Sequence, residues 1–385
     1  MRSVSTEKVP GHNVFELPSG VIFSSNFDNG NLARVEKSNR SGEYNVWTAN
    51  DNMGTPVQSS HCAFFHFVVS GLEVGTVLKI RVCNASNHGA LYKHDHRPVF
   101  RSTASNRKWA RIRSPVKFTK ADGSANLYFE HTVDLPDDKI YFAFTYPYSY
   151  AMVQDDMKVV RNHMNDLSNP DSIFMHHEVL THSCDGRFVD LVTISSAEGA
   201  DEGAREVLLS GLFPENGPDH PRPPSFPDKE VIFLSCRVHP GEVPAQWTFK
   251  GMMDILMDPT DLRGKELRRR FVFKMIPLLN PDGVYRGHFR MDQHGNNLNR
   301  YHPHATRHTT HTTPCHNVNL LFVLTNKRHP SRPLIGTTRL RTRATSPRFL
   351  QPSLCLTITV LKECSARTWT ATHTPPSAGA SSTAT

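Results

Sequence analysis

The chain changes its grammar near residue 150, and that change limits the folds open to it. Before it, short runs rich in Val, Ile, Phe and Tyr follow one another: VIFSSNF, YNVWTA, AFFHFVVSG, VLKIRVC, NLYFEHTV and KIYFAFTYPY. Clusters of Gly, Asn, Asp and Ser separate them, a spacing that predicts an antiparallel β-sandwich domain over residues 1–150. After Ala151 the runs differ in kind. MVQDDMKVVRNHMNDL has the apolar spacing of a helix, RFVDLVTISS and EVIFLSC read as strands, and EVPAQWTFKGMMDILMD reads as a second helix. Strands alternating with helices predict an α/β domain with a mixed or parallel sheet over residues 151–300. The Pro/Gly-rich stretch 198–229 between them predicts a long surface loop.

A third region opens after Arg300 with YHPHATRHTTHTTPCHN and is full of Thr, Arg, Pro, His and Ser. Residues 301–385 hold ten Lys/Arg and one acid, Glu363, which leaves 34 basic and 35 acidic side chains in residues 1–300. The formal charge of +8 therefore belongs to the tail, and the nearly neutral remainder gives no ground for nucleic-acid binding. Apart from VNLLFVL and LCLTITVL, the tail lacks the apolar periodicity needed to offset chain entropy, so disorder is expected over 301–385. So sharp a shift inside a continuing α/β domain resembles an alternative reading frame or exon. This is a hypothesis: a transcript in frame across the Arg300 codon, with homologous continuation in relatives, would remove it.

No stretch of about eighteen apolar residues and no amino-terminal apolar core of a leader occurs, so a soluble intracellular chain with no membrane partner is expected. Seven cysteines stand without any C-x-x-C pairing, which suggests neither a disulfide framework nor a thiolate zinc site. Reduced thiols are expected.

Chemistry concentrates where the strand EVIFLSC ends. His239 and Glu242 are separated by Pro-Gly, with Pro244 in what should be the first helical turn. A neutral imidazole and a carboxylate facing one point are suitable zinc ligands, and a catalytic site needs a third from elsewhere. The pattern is not H-E-x-x-H, so the mechanism tied to that motif does not apply. Downstream, a buried-type strand over 271–279 ends in an Asn-Pro-Asp-Gly turn, followed by Arg286, Arg290 and the pair Asn299-Arg300. A guanidinium offers a planar fork for a carboxylate, which suits Asn299 and Arg300. A second arginine near a metal stabilises the oxyanion of an attacked carbonyl, which suits Arg290. His288 and His294 read as loop residues, His66 as strand core and Trp109 as a sandwich tryptophan.

HPGE at 239–242, NPDGV at 280–284, GHFR at 287–290 and NLNR at 297–300, in that order, resemble the metallocarboxypeptidases of the zinc carboxypeptidase A class, and within it the cytosolic carboxypeptidases. FSSNFDNGNLARVEK, FRSTASNRKWARIRSPVKF and YFAFTYPYSY resemble the β-domain that precedes the catalytic domain there. The resemblance covers roughly residues 20–300. It implies a zinc carboxypeptidase α/β domain, incomplete here, and one Zn2+ held by His239 and Glu242. Arg290 would polarise the scissile carbonyl, and Asn299 with Arg300 would hold the terminal carboxylate. It further implies removal of glutamate from polyglutamylated proteins, chiefly tubulin, at chain ends and branch points, in the cytosol, on microtubules or in the nucleus.

The family's third zinc ligand, a His in a DLHGH-like motif, and its later general-base Glu have no counterpart. The tail histidines His302, His304, His308, His311, His316, His329 and His373 lack a strand-end setting, and Glu363 lies in the wrong one. Two further readings stay open: a catalytically dead module that grips acidic tubulin tails, and polynucleotide binding by the basic tail, which deletion of 301–385 would abolish.

Overall fold

The computed structural model describes residues 9–300, except 87, 88, 106, 107 and 122, together with one strand at Thr357–Leu361. The amino-terminal half packs two sheets face to face. One runs in the order β1 (Val14–Glu16), β2 (Ile22–Ser24), β5 (His66–Ser70), β11 (Ile140–Ala143), β7 (Val99–Ser102), β8 (Ala110–Arg111). The other runs β3 (Arg34–Lys37), β4 (Glu43–Trp47), β6 (Val77–Val82), β10 (Ser124–Thr132), β9 (Lys117–Ala121). Alternation along the strands sets the inner faces, as in β6, where Leu78, Ile80 and Val82 are buried while Val77 and Lys79 face solvent. Across the sandwich the Phe129 ring meets Phe142 at a centroid distance of 5.6 Å, and Phe142 also meets Phe67 on the adjacent strand of its own sheet at 5.7 Å. Burying each such ring contributes about 1.5–3 kcal/mol. All pairs are antiparallel except β4 with β6, which is parallel. A short helix, α1 (Gly89–Lys93), lies in one connection.

Helix α2 (Tyr150–Arg161) opens the second half. Ser149 caps it by accepting from the Met152 N–H, and Val153, Met157 and Val160 form its buried stripe. The mixed sheet that follows runs β12 (Ile173–His182), β13 (Phe188–Ser196), β17 (Phe271–Ile276), β16 (Glu230–Ser235), β18 (Thr357–Leu361). Only β16 with β17 is parallel. Their crossover carries α3 (Val243–Met257) and α4 (Leu262–Arg270). α2 and α3 cover one sheet face, with Phe249, Met253 and Leu256 packed on Val192, Leu234 and Met275. Leu212 and Phe213 cover part of the other. These two belong to the stretch expected to be a surface loop. It pairs β14 (Asp201–Arg205) with β15 (Pro224–Ser225) and buries Arg222 between the Phe213 ring and the carboxylates Glu178 and Glu206.

Two expectations change. Cys62, Cys83 and Cys236 form no disulfide, but Cys184 is disulfide-bonded, since the absence of close cysteine spacing says nothing about cross-links between distant segments. Within the tail expected to be disordered, Thr357–Leu361 pairs antiparallel with β16 from Val231 to Ser235. The other residues of that region lie outside the described ones. No helix among the described residues is long and apolar enough to cross a membrane.

Candidate metal centre

β16 ends at Ser235, and the chain then turns through Arg237, a non-glycine residue with φ of 56°. Its guanidinium is wholly buried and holds the turn from inside, donating from Nε to the Pro240 carbonyl at 2.9 Å and from Nη1 to the Tyr148 carbonyl at 3.2 Å. Burial pulls Arg237 down to about 10. The turn brings Glu242 to the N-cap of α3, with Pro244 in the first turn as the sequence predicts. Gly241 is required here: a Cβ would stand 2.5 Å from the Phe289 ring and 2.8 Å from the Phe289 carbonyl oxygen.

His239 and Glu242 face each other. His239 Nδ1 lies 2.9 Å from Glu242 Oε1, and both residues are buried. The other ring nitrogen, Nε2, lies 2.9 Å from Asn297 Oδ1. That Asn297 atom also accepts the Asn299 N–H at 3.2 Å, which identifies it as the oxygen of the carboxamide. Nε2 must therefore carry the hydrogen. With Nε2 so used, Nδ1 faces a carboxylate oxygen, and either a proton on Nδ1 or a metal ion shared by the two groups satisfies that contact. Glu242 Oε2 is buried without a hydrogen-bond partner, a further acceptor left open. Nitrogen and carboxylate oxygen so arranged fit zinc, which takes such donors at about 2.0–2.2 Å. Asn297 would fix the tautomer and tilt of the ligand imidazole. Among the described residues, no group of three or more His, Cys, Asp or Glu converges to hold a metal, and His239 and Glu242 are two candidate donors.

The arginines are distributed unevenly. Arg290 is half-buried on the loop beside this turn, because the Gly241 N–H donates to the Phe289 carbonyl at 2.8 Å. Asn299 reaches the ligand pair through Asn297, whose carbonyl also accepts the Arg300 N–H at 2.8 Å. The Arg300 guanidinium is exposed, and its Nη1 lies 3.5 Å from the Asn299 carbonyl. The structure thus brings His239 and Glu242 together, sets the backbone of Arg290 and Asn299 beside them, and leaves the Arg300 side chain on the surface.

The Asn280-Pro281-Asp282-Gly283 segment is a helix start as well as a turn. Asn280 caps the short α5 (Pro281–Tyr285) by accepting the Gly283 N–H. Buried Asp282 accepts from Ser183, from the Asp185 backbone and from Arg187, tying α5 to the β12–β13 hairpin. His288, expected as a loop residue, is buried within that loop, and its Nε2 accepts the Asn52 N–H at 3.4 Å. His66 is core as expected, ringed by Phe27, Trp109 and Tyr141. Sequence reasoning missed Arg237, Asp51 and the role of Asn297, although Asn297 lies within the quoted NLNR.

A family described as zinc carboxypeptidase matches residues 160–320, and one described as cytosolic carboxypeptidase N-terminal domain matches residues 23–145. Cytosolic carboxypeptidase-like protein 5 of Ailuropoda melanoleuca is 40% identical over 320 residues, covering 75% of this chain and 36% of its own length. Its counterpart in Danio rerio is 41% identical over 303 residues, covering 72% and 34%. The chain thus spans about a third of the length of these relatives. A solved metallo-carboxypeptidase from Pseudomonas aeruginosa, in complex with (2-guanidinoethylmercapto)succinic acid, superposes with a TM-score of 0.52 at 21% identity. It covers 72% of this chain and 60% of its own, a likeness of fold.

Proposed function

We propose, from the premise that this chain belongs to the cytosolic carboxypeptidase family of zinc carboxypeptidases, that it recognises the glutamate ends of polyglutamylated proteins, tubulin among them, in a deglutamylase-type site. The observation that carries this reading is the meeting of His239 Nδ1 and Glu242 Oε1 with Asn297 behind the ring. His239 and Glu242 would hold zinc, which supplies Lewis acidity and an activated water when bound. Arg290 would orient and polarise the carbonyl of the terminal peptide bond. Asn299 would donate its side-chain N–H2 to the terminal carboxylate, and Arg300 would swing inward to pair with it. Cytosol, microtubules and nucleus are the compartments in which such substrates would be met.

Turnover by this chain is expected to be low. The described residues offer two metal donors and no placed general base, and a base alone is worth about 10²–10⁴-fold in rate. The same absence favours a second reading, a catalytically dead module that still binds acidic tails. One set of measurements separates them: zinc content, affinity for glutamate-rich peptides and glutamate release from polyglutamylated tubulin. Zinc uptake and peptide binding, both lost in His239→Ala, with slow zinc-dependent release, support the enzyme. Binding without any release supports the dead module. Brisk zinc-dependent release abolished by His239→Ala would refute the expectation of low turnover, and a chain that takes up neither zinc nor peptide refutes both readings.

A further inference from the structure

The loop that carries Arg290 is held from the opposite half of the molecule. Asp51, 1% exposed and set in the sandwich segment after β4, accepts three successive backbone N–H groups: Phe289 at 2.6 Å, Arg290 at 2.7 Å and Met291 at 2.9 Å. Amides converging on a carboxylate form an anion nest, filled here by a side chain of the protein itself. Its neighbours add to the grip. Asn52 Nδ2 donates to the Asp292 carbonyl at 2.8 Å, and Asn31 Nδ2 donates to the Gly287 carbonyl at 2.9 Å. Gly287 has φ of 69° and sits so close to the Gly30 carbonyl that a Cβ has no room. On its far side the same segment receives the Gly241 N–H from the ligand turn. The Arg290 backbone is thus clamped between the Asp51 carboxylate and the turn bearing His239 and Glu242.

We propose that Asp51 is a positioning residue for Arg290: from the sandwich it sets the backbone from which that guanidinium meets the carbonyl of a glutamate-rich tail. This rests on the functional reading above, since it takes Arg290 to contact substrate. A carboxylate suits the post because both oxygens only accept; a carboxamide would turn an N–H2 toward amide donors.

The test uses the full chain, Asp51→Asn, Arg290→Gln and the double variant, with hydrogen exchange and hexaglutamate binding as readouts. Asp51→Asn should speed exchange at residues 289–291 by about tenfold or more, with β6 and β10 unchanged. It should weaken hexaglutamate binding about tenfold, as Arg290→Gln does, and the double variant should be no weaker than Arg290→Gln alone. Unchanged exchange at 289–291 overturns the clamp. A loss that adds to that of Arg290→Gln overturns the positioning role, because a general structural defect would add. If Asp51→Asn does not fold, Asp51→Glu, which keeps the charge and displaces it, goes through the same cycle with the same deciding outcomes. A parent chain that fails to bind hexaglutamate overturns the functional reading instead, while exchange at 289–291 still decides the clamp.

Discussion

Buried imidazoles give the chain a dependence on pH that single substitutions can read. Desolvation pushes His66 down to about 3, opposed by its hydrogen bond to the Asn29 carbonyl, and pushes His12 down to about 4, opposed by its bond to the Tyr285 carbonyl. Both folded values lie below the ordinary 6.5, so between 6.5 and 4 the unfolded chain binds more protons. Stability is then fully present above that window and is lost as pH falls through it. Each imidazole should cost about 2 kcal/mol between pH 7 and pH 5, taken as a ceiling. Urea unfolding of the parent and of His66→Phe at the two pH values checks this: the variant should lose less stability on acidification, by roughly the share of one group. His239 and Glu242 could be read from sequence because three positions across a strand-to-helix junction already place them together. Asp51 could not, since nothing local in TANDNM distinguishes a carboxylate that reaches a loop more than two hundred residues away.

Elements were legible where the apolar pattern was local and less so where charge was buried. β13, β16, β17, α2 and α3 follow their hydrophobic periods. β12 does not, because IFMHHEVLTH places His177 against Asp190 and Glu178 against Arg222, partners supplied by other segments. α4, LRGKELRRR, has almost no apolar stripe. Its start comes from Asp261 accepting the Arg263 and Gly264 N–H groups, and Arg268 is buried against the Leu256 carbonyl. β18 covers the outer edge of β16, which otherwise presents the unpaired backbone of Val231–Ser235. A chain ended after residue 356 should therefore shift toward higher mass by size exclusion with light scattering, relative to the full chain. An identical mass for the two would show that β18 does not protect that edge.

At the scale of the molecule, the two halves share one core. Val243, Leu278, Val284 and Phe289 belong to the same apolar cluster as Phe23, Phe65 and Phe142 of the sandwich. The spacing of strands and helices announced two architectures, and each is present. Their fusion was not legible, because a hydrophobic residue carries no mark of which half it will pack against. Cooperative unfolding follows from the fusion: calorimetry should give one transition for the folded part, with equal calorimetric and van't Hoff enthalpies. Two resolved transitions would mean that the shared cluster contributes little. The contact of Phe289 on Phe144, at a centroid distance of 6.5 Å, also has a cost in time. During synthesis the sandwich side of that contact leaves the ribosome 145 residues ahead of its cover. At about 5–20 residues per second, the greasy slot around Phe144 stays open for roughly 7–30 s. That is long enough for a nascent-chain chaperone to be the first occupant of the surface that Phe289 finally fills.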